Sequence, residues 1–227
     1  MRYINERNKE PKELIEYRNT PGATYDGFRE KEIVRKNLIE EQGYICAYCM
    51  RKIDIENSSI EHYISQSRHQ LSPYSVAEHN KQSLLYSNMC GVCVNNSQHC
   101  DKKRGNIPIL ILDPHKSSCE LLITYTIDGK VIPINDNNQD VINDIETLGL
   151  NCKKLIKERV SVKDEIWKRF IKEHPKESWS EELFNTYSDF YYHKQRKKSG
   201  IYKYHAYCNY IAWFFDYYAK NYKCFKI

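Results

Sequence analysis

Residues 43–49 read Gly43-Tyr44-Ile45-Cys46-Ala47-Tyr48-Cys49 and contain a Cys-x-x-Cys turn. A turn of this kind holds two thiolates around one metal ion, as zinc knuckles do. A closed tetrahedral site needs a second pair of ligands, and Cys90, Cys93 and Cys100 lie within a span of eleven residues. Spacing alone favours Cys90-x-x-Cys93 as that pair. The two clusters together predict a structural zinc site.

The composition indicates the cellular compartment in which the protein acts. The chain has 227 residues and nine cysteines, and its first residues lack the apolar stretch of a secretory signal. We therefore expect reduced cysteines in a cytoplasmic protein, where paired cysteines usually bind metal. No window approaches the roughly 18 consecutive apolar residues of a membrane span, so we expect no membrane partner. A formal charge of +5 permits an anionic partner without requiring one.

A Glu-His pair lies between the two cysteine clusters. The run Ile60-Glu61-His62-Tyr63-Ile64 interrupts the polar region 54–83 and predicts a short strand that presents Glu61 and His62. An acidic residue followed by His between two zinc half-sites indicates catalysis in addition to structure. Histidine can deprotonate water near neutral pH, so His62 is the predicted general base.

The remaining pattern is mainly helical. Lys31 to Glu40 has apolar residues at helical spacing, and Gly43 can stop that helix. Residues 121–125 and 131–134 flank Asp128-Gly129, which predicts a β-hairpin. From residue 141 onward helices are expected, with the last two at 183–192 and 202–218. We predict an α+β, mainly helical fold in one compact body, with the zinc site and hairpin in residues 1–135 and a helical bundle in residues 136–227.

Two segments of the C-terminal half allow two interpretations each. The basic run 193–200, between the last two expected helices, is either a solvated loop or a patch that contacts phosphates. The aromatic stretch 202–218 is either core packing or a docking surface for a partner.

The order of these motifs resembles that of the HNH nuclease superfamily, whose pattern is a Cys pair, Asp-His or Glu-His on a strand, an Asn, and then Cys, Cys-Asn and Lys-Gly. In that pattern the Asn precedes the third zinc cysteine by five residues, as Asn88 precedes Cys93. Residues 100–105, Cys-Asp-Lys-Lys-Arg-Gly, are similar to its ending. The resemblance makes residues 94–99 an enlarged loop and Cys90 a small buried residue, although Cys90 with Cys93 stays the alternative pair. The implied zinc ligands are Cys46, Cys49, Cys93 and Cys100.

More narrowly, nearly the whole chain is similar to the PtuB type of HNH subunit, found in Septu and in some retron anti-phage systems. Two positions depart from that pattern. Asp101 stands where relatives often have Asn or His, and Ser65-Gln66-Ser67 stands where many have Pro. The matching segments are 1–4, 10–11, 43–49, 60–63, 86–89, 99–101, 112–114, 128–129 and 148–151, with Leu155 and Arg159.

This resemblance implies a ββα-metal core, stabilised by zinc, with a second metal ion for catalysis. His62 would be the general base, Glu61 and Asp101 would hold magnesium or manganese, and Asn88 would orient the loop at His62. Three basic residues after the last zinc ligand would hold substrate phosphates, namely Lys102, Lys103 and Arg104.

The implied activity is hydrolysis of phosphodiester bonds in anti-phage defence, with DNA favoured over tRNA as the substrate. The implied partners are an ABC-type ATPase of the PtuA type and, in a retron setting, a reverse transcriptase with its msDNA. A non-catalytic zinc module that binds nucleic acid or protein is the alternative. The joint presence of Glu61, His62, Asn88 and Asp101 argues against it, because a pure binder needs no such set.

Overall fold

The computed structural model describes residues 1–4, 9–94 and 98–225, so residues 95–97 of the expected enlarged loop lie outside the described residues. Helices outnumber strands in the described ranges, and the expected α+β, mainly helical class is confirmed. The helices are α1 Lys12–Arg18, α2 Lys31–Glu41, α3 Val76–Gln82, α4 Cys100–Arg104, α5 Ser118–Leu121, α6 Gln139–Thr147, α7 Lys153–Glu173, α8 Glu181–Tyr192 and α9 Cys208–Phe225. The strands are β1 Ser58–His62, β2 Met89–Cys93, β3 Ile123–Tyr125, β4 Val131–Pro133, β5 Gln195–Arg196 and β6 Tyr202–Lys203.

The strands β1 and β2, followed by α4, position the candidate site. The two strands pair antiparallel, with Ser58 opposite Cys93 and His62 opposite Met89. The buried side-chain amide of Gln42 accepts a hydrogen bond from the Gly91 N–H at 2.6 Å and donates one to the Gly91 carbonyl at 2.8 Å. These bonds satisfy backbone groups on the free edge of β2 and attach it to the end of α2.

The strands β3 and β4 form the predicted hairpin. Its turn contains Gly129 with φ of 84°, a conformation that favours glycine. The buried side chain of Arg159 in α7 donates from Nε to the Gly129 carbonyl and from Nη2 to the Leu150 carbonyl, both at 2.6 Å. Arg159 therefore helps to attach the hairpin to the C-terminal helices, together with the Tyr210 hydroxyl of α9, which donates to the Ile127 carbonyl at 3.2 Å.

One hydrophobic core includes residues from both sides of the boundary predicted at residue 135. It contains Val92 of β2 together with Phe170 of α7 and Phe184 of α8. In α9, Tyr210 and Phe215 are fully buried. Much of the aromatic C-terminal stretch is therefore core packing, while the division into two regions stays a prediction.

Two local predictions were wrong. The last helix was expected from residue 202, but Tyr202 belongs to β6 and the helix begins only at Cys208. The strand β6 pairs with β5, which lies within the basic run 193–200. Two-residue strands carry too little periodicity to be seen in a sequence. The polar region also contains the unpredicted helix α3, which begins with a capping box between Ser75 and Glu78. In the described part of the chain, no helix combines the length and the apolar character that crossing a membrane requires.

Candidate metal centre and active site

Four buried cysteine sulfurs meet beside β2. The Sγ atoms of Cys46, Cys49, Cys93 and Cys100 all lie within 4.8 Å of one another. The Sγ distances are 3.8 Å for Cys46 to Cys100, 3.6 Å for Cys49 to Cys93 and 3.9 Å for Cys93 to Cys100. A tetrahedral zinc ion with Zn–S bonds of about 2.3 Å separates its sulfurs by about 3.8 Å. The cluster therefore has the dimensions of a closed metal site.

Tight backbone turns bring these sulfurs together. The Cys46 N–H donates to the Arg51 carbonyl at 2.8 Å, and the Met50 N–H donates to the Cys46 carbonyl at 3.0 Å. Met50 and Cys100 have φ of 63° and 56°. Non-glycine residues rarely adopt such angles, and they persist where surrounding contacts hold them in place.

The four cysteines can all be deprotonated together only if a cation compensates their charge. Burial raises the pKa of the Cys49 and Cys100 thiols well above its ordinary value. Four thiolates in one buried cluster would repel one another without a cation, whereas a divalent ion supplies the compensating charge. The buried His99 lies beside this cluster, with its Nδ1 3.2 Å from Cys100 Sγ and 3.7 Å from Cys93 Sγ.

Cys90, the alternative fourth cysteine, lies elsewhere. It is buried in β2 opposite Glu61, and it is not a member of the four-sulfur group that the described residues form. Side chains alternate between the two faces of a strand, so residues three apart, such as Cys90 and Cys93, point in opposite directions. Cys90 therefore points away from the other sulfurs, and Cys100, the first residue of α4, is the fourth member of the group.

Glu61 and Asp101 bring two carboxyl groups together where β1 meets α4. Burial raises the pKa of Glu61 to about 8, against the effect of the Arg104 guanidinium, and the charge of Asp101 and a hydrogen bond between the two carboxyls act in the same direction as burial. Paired carboxylates of this kind share a proton when no cation is present. Their oxygens are the ligands that hard divalent cations prefer.

Arg104 corrects one of the predictions. It was expected to hold substrate phosphates, but its side chain is only 1% exposed and forms an ion pair with Glu61. It also donates to the carbonyls of His62, Tyr63 and Ile107. The reason is the shortness of α4, whose last residue packs against the end of β1. Its neighbours Lys102 and Lys103 are exposed.

His62 is buried at the end of β1, only 2% exposed. Its Nε2 lies 3.0 Å from the Ser83 carbonyl and its Nδ1 lies 3.2 Å from the Gln66 side-chain nitrogen. A carbonyl can only accept, so Nε2 carries the proton and the Nδ1 lone pair accepts from Gln66. Burial lowers the pKa of His62 to about 4, so the ring is neutral at pH 7. The Tyr25 ring packs edge-on against it, 4.4 Å between centroids.

Asn88 attaches the chain after β1 to the chain before β2. Its Oδ1 accepts from the Ile64 N–H at 2.8 Å, and its Nδ2 donates to the carbonyls of Ile64 at 2.9 Å and Gln82 at 3.0 Å. The Asn88 backbone carbonyl accepts from the Tyr63 N–H at 2.9 Å. These bonds hold the two residues that directly follow His62.

Sequence reasoning did not identify Tyr25, Gln66 and Ser83 as neighbours of His62. Tyr25 and Ser83 belong to segments without a recognisable motif, and their contacts exist only in the folded chain. Gln66 carried one signal, since it lies in the Ser65-Gln66-Ser67 segment that departs from the PtuB pattern.

The chain is similar to two named proteins. One is the "Retron Vc95 putative HNH endonuclease" of Vibrio cholerae serotype O1 biovar El Tor, at 29% identity over 67% of this chain and 78% of that protein. The other is the "Retron Ec83 putative HNH endonuclease" of Escherichia coli, at 26% identity over 68% of this chain and 76% of that protein. No protein-family model matches the sequence.

These similarities support a nuclease activity for this chain at the level of the family. Among nucleases they support an HNH endonuclease family, and the names of both relatives place those relatives in retron systems.

Proposed function

We propose that this chain is a metal-dependent HNH endonuclease that hydrolyses phosphodiester bonds in nucleic acid. The observation that carries the proposal is the pairing of the Glu61 and Asp101 carboxyls where β1 meets α4, with His62 directly after Glu61 and the clustered Cys100 directly before Asp101 in the chain. A binding module has no use for a carboxylate pair together with a buried neutral histidine at the next position of the strand. Hydrolysis needs both. The histidine can serve as the base that deprotonates water, and the carboxylates can bind the cation that stabilises the phosphate.

The four cysteines would hold zinc as a structural ion. Four thiolates with tetrahedral dimensions leave no open coordination position, which is typical of structural zinc. Zinc binding would stabilise a unit of two short strands and a five-residue helix, because binding free energy is available to folding.

Glu61 and Asp101 would hold the catalytic cation. Carboxylate oxygens favour magnesium or manganese over zinc. Such an ion would supply Lewis-acid stabilisation of the phosphate and of the leaving oxygen. The Arg104 guanidinium contacts Glu61 and would hold this carboxyl group in position.

His62 would act as the general base through Nδ1. The Ser83 carbonyl holds the proton on Nε2, so the lone pair of Nδ1 is directed to the position that the Gln66 amide occupies. A water molecule at that position would donate its proton to Nδ1, and general-base help of this kind is worth roughly 10²–10⁴ in rate. Asn88 would hold the backbone that follows His62 in position through its hydrogen bonds to Ile64. The exposed Lys102 and Lys103 would contact substrate phosphates.

The sequence resemblance and the retron names of the relatives support a narrower proposal. In it, the chain is a PtuB-type subunit of a retron or Septu anti-phage system and acts in the cytoplasm. It would work with a PtuA-type ABC ATPase and, in a retron setting, with a reverse transcriptase and its msDNA. The substrate would be DNA, with tRNA as the second candidate.

The test is cleavage of plasmid DNA, and of total tRNA in parallel, with magnesium, manganese or EDTA and with and without the ATPase. We expect cleavage that needs an added divalent ion and that is lost in His62→Ala. His69→Ala is the matched control and should cleave as the wild type does. If neither substrate is cut under any condition while the zinc-loaded protein binds nucleic acid, the chain is a binding module and the proposal is wrong.

A further inference from the structure

A groove away from the candidate active site is lined by aromatic rings. The cavity measures about 690 Å³ and lies between the first residues of the chain, the end of α8 and the β5–β6 pair. Tyr192 and Tyr202 line it and are 38% and 55% exposed. Partly exposed tyrosine rings offer flat apolar faces at a wet surface.

Neighbouring side chains hold the Tyr192 ring in place. The Arg2 guanidinium carbon lies 3.8 Å from the centroid of this ring. The Tyr192 hydroxyl donates to Glu120 Oε2 at 2.8 Å. Glu120 in turn accepts from the Tyr3 N–H at 2.6 Å and lies 3.6 Å from Arg2 Nε. The ring is thus preorganised, so a ligand that stacks on it loses little entropy in ordering it.

The segment 193–203, of which His193, Lys194 and Tyr202 line this groove, carries the excess positive charge of the chain. Residues 193–203 contain five Lys or Arg and no Asp or Glu, and the formal charge of the whole chain is +5. The rest of the chain therefore has equal numbers of basic and acidic residues. Three of the five cations, Arg196, Lys197 and Lys198, are exposed on and beside the turn that joins β5 to β6. Clustered like charges at a surface favour a polyanionic ligand.

We propose that the groove at Tyr192 and Tyr202, with the basic hairpin 193–203, binds single-stranded nucleic acid. Unpaired bases would stack on the two rings while Arg196, Lys197 and Lys198 hold the phosphates. A charged surface interleaved with stacking rings is the combination that single-strand binding uses, and a duplex cannot present its base faces to the rings. This site is separate from the catalytic residues, and binding there does not require that the chain be a nuclease.

Fluorescence anisotropy with labelled oligothymidylate and a duplex of equal length tests the proposal, using the full zinc-loaded chain without added magnesium. We expect the single strand to bind more tightly than the duplex. Tyr202→Ala should weaken single-strand binding by about tenfold, since one stacked base is lost. The triple variant R196Q/K197Q/K198Q should also reduce the salt dependence of binding, because fewer counterions are released.

The matched control is K168Q/K172Q/K176Q, which removes the same charge from exposed positions on and after α7. It should bind within about twofold of the wild type, because general charge contributes little at a distance. Zinc content and circular dichroism establish that each variant is folded. Wild-type affinity in folded Tyr202→Ala and hairpin variants, or equal affinity for the duplex, would overturn the proposal.

Two further outcomes separate this inference from the proposed function. A chain that cleaves nothing yet binds the single strand through the hairpin contradicts the nuclease proposal and supports this one. Hairpin variants that keep oligonucleotide binding but no longer bind the purified PtuA-type ATPase would assign the groove to a protein partner, and the inference would be wrong.

Discussion

Arg104 of α4 and Glu61 of β1 form a buried ion pair although 43 residues separate them in the sequence. The same guanidinium donates to the carbonyls of His62 and Tyr63. One side chain therefore holds a predicted metal ligand, the carbonyl of the predicted base and the carbonyl of the residue that follows it. This makes Arg104 a positioning residue of the candidate site.

Arg104→Met should destabilise the zinc-loaded protein by about 3 kcal/mol, because the Glu61 carboxyl and three backbone carbonyls lose their donor in a buried site, and each such loss costs roughly 1–3 kcal/mol. Arg104→Lys keeps the charge but cannot reach all the acceptors, so its loss should be smaller. Urea unfolding measures both values. A loss below about 1 kcal/mol for Arg104→Met would mean that the pair contributes little to folding.

Cys100→Ala should abolish zinc binding, whereas Cys90→Ala should retain one zinc ion per chain. Both residues are fully buried, so the two variants remove similar packing and differ in whether the sulfur belongs to the cluster. Metal analysis of the purified variants gives the answer. Zinc loss in Cys90→Ala with retention in Cys100→Ala would reverse the proposed ligand set.

Asn88→Ala should reduce the rate of cleavage by tenfold or more while zinc content stays unchanged. The substitution removes three side-chain hydrogen bonds, each worth about 1 kcal/mol: two with the backbone of Ile64, which follows His62, and one with the Gln82 carbonyl. Asn143→Ala, in α6, is the control and should cleave normally. Full activity in folded Asn88→Ala would exclude the bracing role.

His205 should make stability fall as the pH decreases from 7.5 to 5.5. Burial lowers the pKa of its ring below the ordinary value. In the unfolded chain the His205 ring therefore takes up a proton near pH 6.5, whereas in the folded chain it does so only at lower pH. The stability that the folded state gains from the neutral ring is lost as the pH falls towards the folded-state pKa. The effect should be under about 1 kcal/mol, because the ring is partly exposed.

Melting temperatures of wild type and His205→Gln across this range provide the measurement. The wild type should lose more stability than the variant as the pH falls. Parallel pH profiles for the two proteins would contradict the expected titration.

Local patterns predicted much of the fold. Gly43 ends α2, and Asp128-Gly129 makes the β3–β4 turn, because a glycine with positive φ determines chain direction within a few residues. The strand at Glu61-His62 was also predicted, although it begins and ends two residues earlier than expected. The β5–β6 pair was missed because its register depends on contacts such as the bond from the Tyr204 N–H to the Gly43 carbonyl, which joins residues 161 positions apart in the chain.

The sequence by itself determined which chemical groups the site contains: two cysteine clusters, a Glu-His pair, an Asn and an Asp, in an order that resembles the HNH pattern. Tertiary structure alone decided which of them meet. It brought Cys100 rather than Cys90 to the other sulfurs, and it placed Arg104 inside against Glu61. The physical reason is that strand alternation and helix length set where a side chain points, and burial then decides whether a charge faces substrate or an internal partner.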